Sequence, residues 1–356
     1  VTTIITAWSL PDFYASAVER QQRAELMNNP AARALAGPAH GVEDYTFGAM
    51  MANEMLGFLT IFVGIMSILM ITRHTRANEE TGRTELVLAN VGAETDSTMV
   101  LVLLRQLRLA ARSYTAPEHR SEVLPAVVDR LWELAQAADA GSDAQLQLVR
   151  AFAASAVSDT HLDALHGLLD GSLALPGLEV DTDLRWALLI GLVRGGRADD
   201  ADIQAESQRD ATATGRQAAA RAGATIPTRE AKERVWASVV DEARLPNALQ
   251  EAVVGGFDDV SDPALLVPFV ERYFDSLERV WRERTNEMAQ SIVTGLFPFA
   301  LAGLGDQHGI DVLAAADRWL TEHPHAPAAL RRLVTEDRDA VRRAVVAQAA
   351  DRAARG

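Results

Sequence analysis

Cysteine is absent from this 356-residue chain, and lysine occurs only once, as Lys232, among 34 basic residues. The lack of thiols excludes disulfide bonds, thiolate nucleophiles and cysteine-ligated zinc or iron–sulfur sites. Acidic residues outnumber basic ones, which gives a formal net charge of -15 at pH 7. A protein with this charge repels phosphate backbones, so we predict that nucleic acid is not a partner. An acidic balance is also typical of soluble cytoplasmic proteins.

Signature motifs of several enzyme classes are missing as well. The chain has no G-x-S-x-G elbow of a serine hydrolase, no G-x-x-x-x-G-K-[ST] nucleotide loop and no His-Glu-x-x-His zinc helix. His161 and His166 are the nearest pair, but a spacing of five residues turns them about 140° apart around a helix, so we predict two histidines at the solvent edge. His323 and His325 have no third ligand nearby. We predict no catalytic residue, metal ligand or cofactor in this chain.

One long apolar run stands out near the amino-terminal end. Residues 55–72 read MLGFLTIFVGIMSILMIT and carry no charge, which is close to the length that crosses a bilayer. Glu54 precedes the run, and Arg73 and Arg76 follow it. Cationic flanks prefer the cytoplasmic side, so the pattern predicts a membrane span that enters the cytoplasm at Arg73. The alternative is a buried helix of a soluble protein.

The remainder of the chain has the period of amphipathic helices. From about residue 97, apolar positions recur at helical spacing in segments that follow one another every 15 to 25 residues or so, and almost no stretch alternates with period two. We therefore predict an all-α fold, an α-solenoid-like (HEAT- or ARM-like) array of stacked helix pairs over 98–356. The segments include 99–114, 121–139, 144–157, 161–171 and 183–196.

Local signals mark several helix ends. The segment 183–196 ends in Gly195 and Gly196, and glycine is favoured at a helix carboxyl terminus. Asp199, Asp200 and Asp202 follow directly. This acidic group could attract a cation, but acids are also favoured in the first turn of a helix. We interpret the group as a helix start.

The first 95 residues resemble a fragment of an actinobacterial ABC-2-type exporter permease. The resemblance rests on NNPAARALAGPAHG at 28–41, on the apolar run, and on RHTRANEETGRTELVLANVG at 73–92. It implies a membrane component, with possible membrane contact through 55–72. A complete permease has several spans, and one helix cannot enclose a path for a solute.

Residues 98–356 are similar to a different family, the C-terminal helical domain of actinobacterial M1 zinc aminopeptidases. The segments LRQLRLAARSYTAPEHR, DLRWALLIGLVRGGRADDADIQAESQRD, AKERVWASVV, LPNALQEAVVGGF and LVPFVERYFDSLERVW occur in the family's order. The resemblance implies a domain that closes the substrate chamber of an enzyme that removes N-terminal residues from peptides. The family's His-Glu-x-x-His motif and Gly-Ala-Met-Glu-Asn loop are both absent. Zinc therefore belongs to the parent enzyme, and we expect this chain alone to be inactive.

The same resemblance implies candidate residues for the substrate cleft. These are Arg185, Trp186 and Arg194 on one helix, and Asn247 after Pro246. Arg185 and Trp186 are adjacent and point in different directions, so both cannot line one cavity. The alternative is that Trp186 packs in the core, as tryptophan usually does, and that Arg185 pairs with a neighbouring acid.

Three functional hypotheses follow. The chain is the capping domain of an aminopeptidase, and would meet peptide only through a missing catalytic domain. Alternatively, it is a membrane component of an ABC-type exporter with a helical cytoplasmic appendage, or a helical binding module for a protein partner. We expect 98–356 to be cytoplasmic, and the chain to be membrane-associated if 55–72 is a true span.

Overall fold

The computed structural model describes residues 16–27, 43–44, 46, 49, 90–91, 94, 97–242 and 244–355. The chain falls into two compact units, Val1–Asn78 and Glu79–Gly356. In the first unit, helix α1 covers Ala17–Met27. The predicted membrane span at 55–72 lies outside the described residues and stays a prediction. None of the helices that are described is long and apolar enough to cross a membrane.

The described residues of the second unit form helices and turns and contain no strand, which confirms the all-α prediction. The α-helices are α2 Ser97–Leu109, α3 Arg120–Ala137, α4 Asp143–Ser155, α5 Asp159–Asp170, α6 Thr182–Arg194, α7 Asp200–Arg209, α8 Ala213–Thr225, α9 Arg229–Trp236, α10 Asn247–Phe257, α11 Val270–Glu283, α12 Asn286–Gly295, α13 Gly305–His308, α14 Val312–Glu322 and α15 Ala328–Arg355. Short π or 3-10 segments cover Ala110–Tyr114, Pro117–His119, Ala237–Asp241, Pro263–Phe269 and Phe299–Leu301.

Most helices pack against near neighbours in the chain. Helix α4 contacts α2, α3 and α6, while α8 contacts α6, α7 and α10. Farther along, α12 contacts α10 and α11. This order agrees with a stack of helix pairs, in which each pair covers the apolar face of the next.

Helix α6 lies at the centre of this stack. Leu184, Leu188 and Leu192 pack into a cluster with residues of α2 to α5. Trp186, Leu189 and Val193 pack into a second cluster with Ile203 and Ala222. A helix that is apolar on several sides is buried, which explains why most of α6 has no solvent-facing stripe.

Polar side chains begin many of these helices as the sequence predicts. Asp199 accepts hydrogen bonds from the backbone N–H groups of Ala201 and Asp202, and the Asp202 carboxylate accepts from the Asp199 N–H. This reciprocal arrangement caps α7. The acidic group is therefore a helix start, as expected. Gly196 follows the end of α6 with a positive φ of 71°, a conformation that favours glycine.

The C-terminal helix α15 departs from the stacking order and returns to the start of the unit. It contacts the Ala110–Tyr114 segment. The buried Gln348 amide donates to the Ser113 carbonyl at 2.8 Å. The Asp351 carboxylate accepts from the Ala116 N–H at 2.9 Å and contacts His119 Nδ1 at 2.8 Å. In an open solenoid each repeat contacts only its neighbours, so this unit differs from that expectation at α15.

Candidate functional site

Arg185, the first of the predicted cleft residues, is held by an acid. Its Nε and Nη2 donate to the two carboxylate oxygens of Glu206, each at 2.7 Å, and its Nη1 donates to the Leu169 carbonyl at 3.1 Å. The Glu206 carboxylate raises the pKa of Arg185. This fork ties α6 to α7 and to the end of α5.

Trp186 is adjacent to Arg185 on α6 and therefore points from the helix axis in a different direction. It is 4% exposed, and its indole N–H donates to Asp210 at 2.9 Å. Trp186 therefore packs in the core and Arg185 pairs with an acid, which are the two contacts that the alternative interpretation expects.

Arg194 is buried, at 3% exposure, and closes the carboxyl end of α4. Its guanidinium donates to the carbonyls of Ala153 at 3.0 Å and Ala156 at 3.1 Å, and also to that of Ala154. The last carbonyls of a helix have no partner within the helix, so a cation there satisfies them. Burial lowers the pKa of Arg194 to about 10, against the opposing effect of Asp259, whose carboxylate lies 3.5 Å away.

Asn247 is exposed at the start of α10, where its amide donates to Glu287 at 3.1 Å. The structure thus gives Arg185, Arg194 and Asn247 three separate sets of partners. Arg194 lines a cavity next to α2, whereas neither Arg185 nor Asn247 lines either of the two cavities described below. Their role as substrate contacts stays a prediction.

A groove that the sequence analysis missed runs along α2. It has a volume of about 840 Å3 and is walled by α2, the 258–263 loop and the 299–308 segment. Its described lining residues include four arginines, Arg105, Arg108, Arg112 and Arg120, and three aspartates, Asp258, Asp259 and Asp262. The first three arginines are spaced by three and then four residues, which places them on one face of the helical segment. That spacing is the signal in the sequence that could have revealed the groove.

Two of these arginines are anchored by Asp259. Arg108 Nη2 and Arg112 Nη1 each lie 3.3 Å from Asp259 Oδ1, and Arg112 Nη2 donates to the Val260 carbonyl at 2.9 Å. Burial raises the pKa of Asp259, but Arg194, Arg108 and Arg112 together outweigh it and bring the pKa to about 2. The carboxylate is therefore charged and fixes the direction of both side chains.

The other two groove arginines have no ion pair within the part of the chain that the structure describes. Arg105 is exposed, and Arg120 donates its Nε to the Thr115 carbonyl at 3.1 Å. Burial, followed by repulsion from Arg112, lowers the pKa of Arg120 to about 10. Arg105 and Arg120 therefore keep donors and positive charge toward the groove, an arrangement suited to a carboxylate or another anion.

Comparison with known proteins identifies the family of this helical unit. Residues 75–343 match the family described as ERAP1-like C-terminal domain. The chain belongs to this family. It is also 45% identical over 269 residues to an aminopeptidase N of Streptomyces lividans, a match that covers 76% of this chain. The chain spans only 31% of that relative's length.

The matched region of the ERAP1-like domain begins within the segment 73–92 that carries much of the resemblance to a permease. The matches lend no support to an exporter fragment. They support the aminopeptidase resemblance, which rests on residues spread along the whole second unit.

The zinc of an aminopeptidase has no fitting ligands in the described part of this ERAP1-like domain. No group of three or more His, Cys, Asp or Glu side chains there could hold a metal ion. His323 Nδ1 contacts the Trp319 carbonyl at 2.9 Å, and its ring stacks on the Trp319 indole. We therefore derive no chemical step through zinc for these residues.

The prediction of two histidines at the solvent edge is wrong for His161. His161 is 4% exposed, and its Nε2 lies 2.8 Å from Asp129. Its Nδ1 accepts from the Ser158 N–H at 3.3 Å, so the ring completes the cap at the start of α5. This capping role draws the ring back over the helix end. His166 is 65% exposed, as expected, and pairs with Asp170 at 3.1 Å.

Proposed function

We propose that residues 98–356 form the C-terminal domain that closes the substrate chamber of a zinc aminopeptidase, an enzyme that removes N-terminal residues from peptides. The match to aminopeptidase N along nearly all of the helical unit is the observation that carries this proposal. The zinc motif is absent from the sequence, so the chemistry belongs to a separate catalytic domain. By itself the chain is expected to be inactive.

Within that role, the groove along α2 binds the carboxylate end of a peptide. Arg108 and Arg112 are fixed by Asp259, while Arg105 and Arg120 have no ion pair in the described residues. Cationic donors held in place by buried partners are pre-organised to receive an anion. The groove thus orients the far end of a peptide, while the bond cleaved lies in the catalytic domain.

A chimera tests this proposal. The corresponding C-terminal part of the Streptomyces aminopeptidase N is replaced by this chain, and hydrolysis is measured with a chromogenic leucine amide and with a decapeptide. We expect no zinc-dependent hydrolysis from the chain alone and restored hydrolysis from the chimera. A folded, zinc-loaded chimera that is no more active than the truncated catalytic part would contradict the capping role.

Variants of the chimera test the groove separately. Replacing Arg105 and Arg120 by Gln should raise the KM for the decapeptide by about tenfold, the effect of losing roughly 1.4 kcal/mol of binding. The short amide does not reach the groove, so its kcat/KM should be unchanged. Arg130→Gln is the matched control, because Arg130 is 52% exposed and its ion-pair partner among the described residues is Glu133 on the same helix, α3. An equal loss with both substrates would contradict peptide binding in the groove.

The exporter and protein-recruitment hypotheses stay open as hypotheses, with no specific observation in their favour. Membrane contact through 55–72 is likewise a hypothesis about residues outside the described part. We place the helical domain in the cytoplasm, in keeping with the net charge of -15.

A further inference from the structure

A second cavity, beside the groove, is lined mainly by aliphatic side chains. It lies among α2, α3 and α4 and has a volume of about 340 Å3. Its apolar wall includes Leu104, Leu107, Val127, Val128 and Leu131. Small-molecule sites in proteins have this kind of lining and begin at about this size, near 300 Å3. The cavity is therefore large enough for a small apolar group.

Arg150, which is partly buried, brings one unpartnered hydrogen-bond donor to this apolar cavity. It extends from α4, and its buried Nε has no hydrogen-bond acceptor among the described residues. Its guanidinium also forms no ion pair with any described residue. A buried polar atom without a partner is unfavourable for folding and is rare in native structures. The orphaned donor indicates that a ligand of this cavity carries a hydrogen-bond acceptor.

The charged residues of the cavity wall indicate the charge of the ligand group that supplies this acceptor. Among the described lining residues are four further arginines and no aspartate or glutamate. Three of the four, Arg108, Arg112 and Arg194, share the carboxylate of Asp259, and Arg105 has no ion pair in the described part of the chain. Asp258 also acts on Arg108 and Arg112, but two carboxylates do not match five arginines in number, so the cavity favours an anionic group.

We propose that this cavity binds a small amphipathic carboxylate, with its aliphatic chain against α3 and α4 and its carboxylate on Arg150. The chemical class is that of a medium-chain fatty acid. The exposed rim agrees with this assignment, because Leu101 and Val157 are 48% and 46% exposed and extend the apolar surface to solvent. This cavity shares Arg105, Arg108 and Arg112 with the groove, but its ligand and its test need no catalytic domain.

Calorimetric titration of the full chain with octanoate, octanol and acetate tests the site. We expect saturable octanoate binding, at least about tenfold weaker binding of octanol and no detectable binding of acetate, because both the charge and the chain contribute. Octanol binding as tight as octanoate, or no octanoate binding, would overturn the proposal. Tighter binding of N-acetyl-leucine than of octanoate would assign the cavity to a peptide end instead.

Two variants separate ligand binding from structural damage. Arg150→Met should weaken octanoate binding by about tenfold and leave thermal stability unchanged or higher, since it removes an unsatisfied donor. Arg130→Met, on the exposed face of α3, is the matched control and should bind as the parent does. Ala151→Leu should weaken binding by filling the cavity that Ala151 lines. Unchanged binding in both Arg150→Met and Ala151→Leu would place octanoate elsewhere and overturn the site.

Discussion

Arginines on α6 and arginines on α2 differ in what surrounds them, although the residue type is the same. Arg185 and Arg194 on α6 are engaged by Glu206, by Asp259 and by backbone carbonyls. Arg105 on α2 and Arg120 at the start of α3 have no ion pair in the described residues. An arginine with several partners on different helices holds those helices together, whereas one with free donors can bind a ligand. The partners of an arginine therefore say more about its role than its position in the sequence does.

The largest expected effect is at Arg194. Arg194→Met removes hydrogen bonds to three carbonyls at the end of α4 and takes one cation from the buried Asp259. Breaking a buried pair in this way should lower the free energy of unfolding by about 3–5 kcal/mol. Urea denaturation at pH 7 measures the change. Arg197→Met, at an exposed pair with Asp159, is the control and should show little change. Equal losses in the free energy of unfolding for Arg194→Met and Arg197→Met would contradict the conclusion that Arg194 is a structural residue and Arg197 is not.

A smaller loss is expected at Arg185. The ion pair between Arg185 and Glu206 is partly accessible to solvent, because the Arg185 side chain is 24% exposed. Arg185→Met should lower the free energy of unfolding by about 1–3 kcal/mol, the range for charge-assisted hydrogen bonds. The double variant with Glu206→Gln should cost less than the sum of the two single changes, since the pair is already broken. Additive losses in urea denaturation would show that the two residues act independently.

Lys232, the one lysine of the sequence, is a buried cation whose partners are backbone carbonyls, in contrast to the arginines of the groove. Its ammonium donates to the Ala224 carbonyl at 2.5 Å, and burial lowers its pKa to about 8 from 10.5. Between pH 8 and 10.5 the unfolded chain binds more protons at this position than the folded one, so stability should rise with pH by about 1–2 kcal/mol up to pH 9.5. Lys232→Met should abolish that rise in denaturation curves recorded from pH 7.5 to 9.5. A rise that persists in the variant would assign it to another group.

The smallest effect on stability is expected at Arg105. Because this side chain is exposed and has no ion pair in the described part, Arg105→Gln should change the free energy of unfolding by no more than about 0.5 kcal/mol. A loss of more than 1 kcal/mol, roughly the upper limit for an exposed pair, would show that Arg105 supports the fold. In that case Arg105 would stabilise the fold and would not serve as a ligand-binding residue of the groove.

Helix positions were predictable to within a few residues because their signals are local. The segment 183–196 is observed as Thr182–Arg194, followed by Gly195 and Gly196. The burial of His161 was not predictable in this way. The cap contact to Ser158 is local, but the ring is buried against Phe152 of α4 and contacts Asp129 of α3, which is 32 residues away.

The arginine groove was likewise not predictable from local sequence signals. The spacing of Arg105, Arg108 and Arg112 is visible in the sequence, but the acid that holds two of them, Asp259, lies about 150 residues farther along the chain. No local rule distinguishes Arg194, which that carboxylate also contacts, from Arg105, which has no ion pair in the described residues. The candidates chosen from resemblance therefore included two arginines that each have several partners, and they did not include the arginines of the groove.

The sequence by itself determined the helical class, the caps and stops of individual helices, and the absence of a zinc-binding helix motif, since each depends on residues within a few turns of one another. Only the tertiary structure decided which cations are neutralised, which histidine is buried, and that α15 returns to the start of the unit. These outcomes depend on side chains brought together by packing from distant parts of the chain. Coulomb and hydrogen-bond energies follow distance in space rather than separation in sequence.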